Sequence, residues 1–219
     1  MSDTPNITRG SQSNYRRLFK SNPDSAIIRP ITLQAGYGKI ELGTAMAVNG
    51  SAAGNKGKYI PYDPTTVTGA EIAPGRAYLV QNSETTANIL YVTMDDSYKF
   101  SVADDVYIHD DTTTLEQLGA ITAINRTTYT HMAAITVTTA TGGTSFTTAR
   151  FAYLCVKSSD ICIGILQQTR DTGAGSTAAG ALGALIKKNA LLYNGMTTNV
   201  DSAARTDISA SVDGQYLSL

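Results

Sequence analysis

Short apolar runs alternate with glycine, proline, asparagine or aspartate through much of this chain. Such runs bounded by turn residues are the length of strands rather than helices. "ITLQAGYGKIELGTAMAV", "KYIPYDP", "RAYLVQNS" and "ANILYVTM" are short strands separated by turn residues, the pattern of an all-β barrel or sandwich. "YKFSVADDVYIHDD", "LGAITAINRTTYTHMAAITVTT" and "TSFTTARFAYLCV" continue it in a Thr- and Ile-rich texture, with a hairpin around "NRTTY". "SSDICIGILQQ" then returns to the Gly-punctuated texture of the first part.

The fold class expected is therefore all-β. A compact barrel or sandwich core occupies 31–92 and 152–219, with a second small β-barrel inserted at 93–151. Residues 1–30 have no clean period and are rich in Ser and Asn, which predicts an extended N-terminal arm, disordered by itself. Near the C-terminus, "TRDTGAGSTAAGALG" is a flexible loop by composition. "ALIKKNALLYNGM" is a strand, a turn at Lys187–Asn189 and another strand, because Gly180 and Gly183 weigh against a helix there by about 1 kcal/mol each. A short helix near Ser202–Arg205 and a last strand complete the pattern.

Composition supports this and narrows the function. Of 219 residues, 42% are hydrophobic and only 16% charged, with a net charge of −1, unlike the strongly basic face of a nucleic-acid binder. The charge is uneven. Residues 1–30 carry Arg9, Arg16, Arg17, Lys20 and Arg29 against Asp3 and Asp24, a net +3. Residues 91–120 carry seven acids against Lys99, a net −6. A basic arm and an acidic middle suggest contacts with other protein surfaces. Tyr15, Leu18 and Phe19 lie among the arginines as candidate anchors. The sequence shows no signal peptide and no run of 18 apolar residues, so folding in a cytoplasm without a membrane span is expected.

Candidate chemistry is sparse. In "GSAAGNKGK" the sixth position from Gly50 is Asn55, and Tyr59 stands where a phosphate loop needs Ser or Thr. Two prolines in "YIPYDP" prevent a following helix. The stretch is a turn between strands. "GAGSTAAG" begins like a dinucleotide fingerprint, but its third glycine comes too late and no βαβ unit surrounds it. The pairs Asp95–Asp96, Asp104–Asp105 and Asp110–Asp111 lack calcium-loop spacing. His109 and His131 accompany no G-x-S-x-G nucleophile. No catalytic residue, metal or cofactor is assigned, and the chain is read as a non-enzyme. Cys155 and Cys162 flank a four-residue turn, Lys157–Asp160. They are expected to face each other across a hairpin as free, buried structural thiols.

"ITLQAGYGKIELGTAMAVNG…KYIPYDP" and "DICIGILQQTRD…ALIKKNALLYNG" resemble the lambda-like head decoration (capsid cement) proteins of tailed bacteriophages. The resemblance spans roughly 31–92 and 152–219 and rests on Gly-dependent turns with apolar strands. It implies a β-tulip-like core and a viral structural protein of the virion's outer capsid surface, made in the host cytoplasm. Such a protein forms homotrimers and stabilises the head by bridging major capsid protein subunits. In that setting Arg9, Tyr15, Arg16, Arg17, Leu18 and Phe19 are the expected capsid contacts. The inserted barrel is expected to project outward with its acidic stretch in solvent. The alternative is a tail, fibre or baseplate module that binds a host surface glycan through its Tyr-rich strands.

Overall fold

A computed structural model describes residues 18–20, 26–64, 74–110, 115–142, 145–188, 190–210 and 217–218. The described chain is mostly strand, turn and loop, as the short apolar runs between turn residues predict. Its strands are β1 (Ile27–Leu33), β2 (Lys39–Ile40), β3 (Ala45–Val48), β4 (Tyr59–Pro61), β5 (Ala77–Tyr78), β6 (Ile89–Thr93), β7 (Asp105–His109) and β8 (Leu115–Asn125). They continue as β9 (Met132–Val137), β10 (Tyr153–Val156), β11 (Gly164–Leu166), β12 (Arg170–Asp171), β13 (Ala181–Lys188), β14 (Ala190–Leu191) and β15 (Leu217–Ser218). Among the described residues, short α-helices cover Met94–Ser97 and Ser202–Ala210.

Five strands close a barrel in the order β1-β13-β11-β3-β4. The closing contact is parallel, Leu33 opposite Tyr59, and the remaining pairs are antiparallel. Ile31, Leu33, Met46, Ile60 and Leu185 are buried in its core. Gly183 lies opposite Ile31. A Cβ there would approach Leu33, Ile31 and Leu166 to within 3.3–3.4 Å, so the lack of a side chain lets the barrel close tightly. The strand at 181–188 settles the competition with a helix, and the turn expected at 187–189 falls partly on Asn189, outside the described residues.

Six further strands form a second sheet in the order β5-β10-β7-β8-β9-β6. An antiparallel bridge between Leu79 and Val92 brings its two ends together, so the sheet curls almost into a second barrel. Leu90, Val92, Val106, Ile108, Leu118, Ile121, Ile135 and Leu154 are buried with it.

Pairing moves the expected boundaries of this insertion. β5 and β6 precede residue 93 and β10 follows residue 151, yet β5 pairs with β10 and β6 with β9. The inserted sheet thus runs from β5 to β10, between β4 and β11 of the first barrel. Texture misassigned these strands because both sheets bury one apolar face and so share one period. The arm boundary moves as well. Residues 27–30 belong to β1, in register with β13, and are part of the first barrel.

The two bodies share one continuous apolar core. Gly36, at φ +92°, sits against the backbone that leaves the helix at Met94–Ser97. A Cβ at this position would fall 2.2 Å from the Tyr98 carbonyl oxygen. Only glycine combines that conformation with that approach.

Candidate functional site

Two buried polar clusters join the bodies. The first centres on Asp104, which is fully buried. Its carboxylate accepts from the Asn55 main-chain amide (2.8 Å), the Asn55 side-chain amide (2.9 Å), Asn49 Nδ2 (3.1 Å) and the Ser101 amide (2.8 Å). Asn49 also donates to Gln34 Oε1 (2.9 Å), and Gln34 Nε2 donates to the Lys99 carbonyl (2.6 Å). The glycine- and lysine-bearing stretch is therefore the β3–β4 hairpin loop, tied down by an acid of the second sheet. Its Lys58 Nζ donates to Asn55 Oδ1 at 2.8 Å, and Lys56 is exposed.

The second cluster is an ion pair. Arg76 Nε meets Asp63 Oδ1 at 2.6 Å, with both side chains about nine-tenths buried. Arg76 also donates to the Pro64 carbonyl (2.9 Å), and the Tyr153 hydroxyl donates to Asp63 Oδ2 (3.2 Å). The guanidinium lies 4.1 Å from the Tyr153 ring centre, and His109 stacks on Tyr153 with centroids 5.4 Å apart. Burial raises the Asp63 carboxyl above its ordinary range in spite of Arg76 and Tyr153, which pull it down. The His109 ring also meets the Asp110 carbonyl through Nδ1. In both clusters charges and donors are committed to one another, and the arrangement holds sheets together.

The acidic stretch faces solvent only in part: Asp95 is exposed and Glu116 is half-buried, but other acids turn inward. Asp104 and Asp110 are buried, and Asp110 lies 3.8 Å from Arg150. Thr93 caps the helix at Met94–Ser97 by accepting the Asp96 amide (3.1 Å), and the Asp96 carboxylate accepts the Thr93 hydroxyl (2.9 Å) and pairs with Lys99 at 2.7 Å. Asp105 accepts the Ala52 amide at 3.0 Å. Such acids are consumed by loop amides and bases, which composition does not reveal. Asp111 lies outside the described residues. Among the described residues no group of three His, Cys, Asp or Glu side chains could hold a metal. No described helix is long and apolar enough to cross a membrane.

Of the expected arm contacts, Arg9, Tyr15, Arg16 and Arg17 lie outside the described residues. Leu18 and Phe19 are placed, and both face inward, at 0% and 5% exposure. Phe19 bridges Leu192, the Lys20 amide donates to the Leu191 carbonyl (2.7 Å), and the Tyr193 amide donates to the Leu18 carbonyl (3.0 Å). Packing within their own chain thus occupies the two residues expected to anchor on a partner. An apolar residue in a polar segment carries no mark of which core it will enter.

Cys155 and Cys162 are free and buried, but no hairpin pairs them. Cys155 on β10 lies opposite Tyr107 of β7, whereas Cys162 precedes β11 of the first barrel. The chain crosses between bodies at the turn that the sequence reads as a hairpin. Burial pushes both thiols up, that of Cys162 to about 12. The loop after Gln168 is likewise fastened. The Thr172 hydroxyl accepts the Tyr37 amide (3.1 Å) and donates to the Gly38 carbonyl (2.9 Å).

One surface feature escapes the sequence reading. Ile89 and Val80 are each 42% exposed, Tyr129 is 37% exposed, and Tyr129 meets Tyr91 edge-on at 5.7 Å. Alternation in "ILYVT" separates Ile89 and Tyr91 from Leu90 and Val92, but with apolar residues on both faces it does not say which face is outside. No protein family, curated protein or solved structure matches this chain.

Proposed function

We propose that this protein is a capsid decoration protein, which binds the outer surface of an expanded phage head as trimers and bridges major capsid protein subunits. The reading starts from the resemblance of the Gly-spaced strands. Its main structural support is the root of the basic arm. Leu18 is fully buried and held by backbone bonds to the segment Leu191–Tyr193, so the arginines at 9, 16 and 17 precede a fixed point on the body. Burying one leucine stabilises by about 2 kcal/mol.

In this reading Arg9, Arg16 and Arg17 meet acidic capsid groups and Tyr15 supplies an apolar anchor, while Leu18 and Phe19 tether the arm. Main-chain pairing of an extended arm with a sheet edge gives affinity with little side-chain specificity. Three arms on one trimer add avidity. Preferential binding to the expanded shell stabilises it by mass action.

Co-sedimentation with expanded and unexpanded heads tests this, using the full chain and a chain lacking residues 1–17. A deletion through residue 30 would remove part of β1 and confuse binding with folding. Saturable binding to expanded heads, lost with the seventeen residues, is the expected result. Absence of binding to either head form refutes the proposal.

A further inference from the structure

The outer face of the inserted sheet carries a small uncharged aromatic surface, which we propose is a binding site for a neutral carbohydrate. Strand register assembles it. The Val80 amide donates to the Tyr91 carbonyl (3.0 Å) beside the Leu79–Val92 bridge, which sets Val80 opposite Tyr91. Tyr91 lies opposite Ala134, and Ile89 opposite Thr136. Directly opposed residues of an antiparallel pair share a face, and so do residues two apart. Val80, Ile89, Tyr91 and Thr136 therefore form one outward patch, and Leu90 and Val92 point into the core.

Tyr129 completes the patch from the β8–β9 hairpin. Its ring stands at 81° to that of Tyr91, so the two rings form an angled platform. The hairpin is held rigidly. Arg126 turns inward, donating from Nε to Ser97 Oγ (2.8 Å) and from its terminal nitrogen to the Ser97 carbonyl (2.7 Å), with its guanidinium 4.4 Å from the Tyr98 ring centre. Asn125 Oδ1 accepts the amides of Thr127 (3.0 Å) and Thr128 (3.1 Å). The platform is thus ordered before any ligand arrives, which lowers the entropic cost of binding.

Charge and size select the occupant. None of the outward positions named carries a charge, and the nearby Arg126 is committed to the interior, so the complementary ligand is neutral. A stable protein interface needs about 20–30 residues a side. This patch presents a handful of side chains, the scale of one or two sugar rings. Sugar C–H groups carry slight positive charge and meet the negative face of an aromatic ring. The hydroxyls of Tyr129, Thr136 and the hairpin threonines suit the sugar's own hydroxyls.

The test is ligand-observed NMR on the full chain without capsids, so its outcome is separate from that of head binding. The probes are maltohexaose, cellohexaose, mannohexaose and chitotetraose, with an acidic heparin hexasaccharide as control. Binding of at least one neutral probe is expected, insensitive to salt and weakened about tenfold or more by Tyr129→Ala. Tyr129→Phe should retain most of it, and the remote Leu182→Ala should leave it unchanged. The proposal is overturned if no neutral probe binds, if Tyr129→Ala binds as well as the parent, or if only the acidic sugar binds. It is equally overturned if the patch self-associates, seen as a rise in mass with concentration that Tyr129→Ala abolishes.

Discussion

Asn55 reaches Asp104 twice, with its main-chain amide at 2.8 Å and its side-chain amide at 2.9 Å. Through this pair the β3–β4 loop of the first barrel is bound to the second sheet. Asp104→Ala would leave one donor of Asn49 and two of Asn55 buried without their acceptor. Each such group costs about 1–3 kcal/mol, so a loss of roughly 3 kcal/mol or more is expected in urea unfolding. Asn55→Ala should cost less, because its main-chain bond to Asp104 survives.

Arg76 and Asp63 make the second junction respond to pH. The Asp63 carboxyl is raised above its ordinary range by burial. The folded chain therefore binds this proton more readily than the unfolded chain. Its contribution is fully present below the unfolded value, about 4, and is lost as pH rises through the folded value. Arg76→Met removes the opposing charge, raises the folded value further and widens that window upward. At neutral pH this variant should lose about 3–5 kcal/mol, with partial recovery on acidification towards pH 4. Arg76→Met with Asp63→Leu should restore much of the loss at neutral pH. Thermal melts across pH check all three.

The thiols should be silent in the native protein. With Cys162 pushed up to about 12 and both cysteines buried, neither forms thiolate at mildly alkaline pH. A thiol reagent should titrate almost none before denaturant is added and both afterwards. Oxidising conditions should not join them in the folded chain, because both thiols are buried and no hairpin sets Cys162, in the loop before β11, opposite Cys155 on β10.

Leu18→Ala should destabilise the body by about 2–5 kcal/mol, the usual cost of a leucine-sized cavity. Calorimetry on the parent and the variant checks this.

Gly36→Ala would meet the Tyr98 carbonyl and a left-handed φ of +92° together. A drop of about 2 kcal/mol or more is expected, larger than for Gly38→Ala, where a Cβ would have open space. Urea unfolding of the two variants side by side checks the order.

Sequence alone determined the all-β class, most strand positions, the β8–β9 hairpin at "NRTTY", the turn nature of "GSAAGNKGK" and the buried state of both cysteines. These follow from local rules: short apolar runs, glycine and proline punctuation, and burial of small apolar side chains. The tertiary structure decided which strand pairs with which, and so moved β5, β6 and β10 into the second sheet and β1 out of the arm. It also turned Leu18 and Phe19 inward, spent Asp104 and Asp105 on loop amides and left Tyr91 and Tyr129 outside. Strand partners far apart in sequence share the same local pattern, so pairing is settled only when side chains from distant segments compete for one core and buried polar groups find their donors.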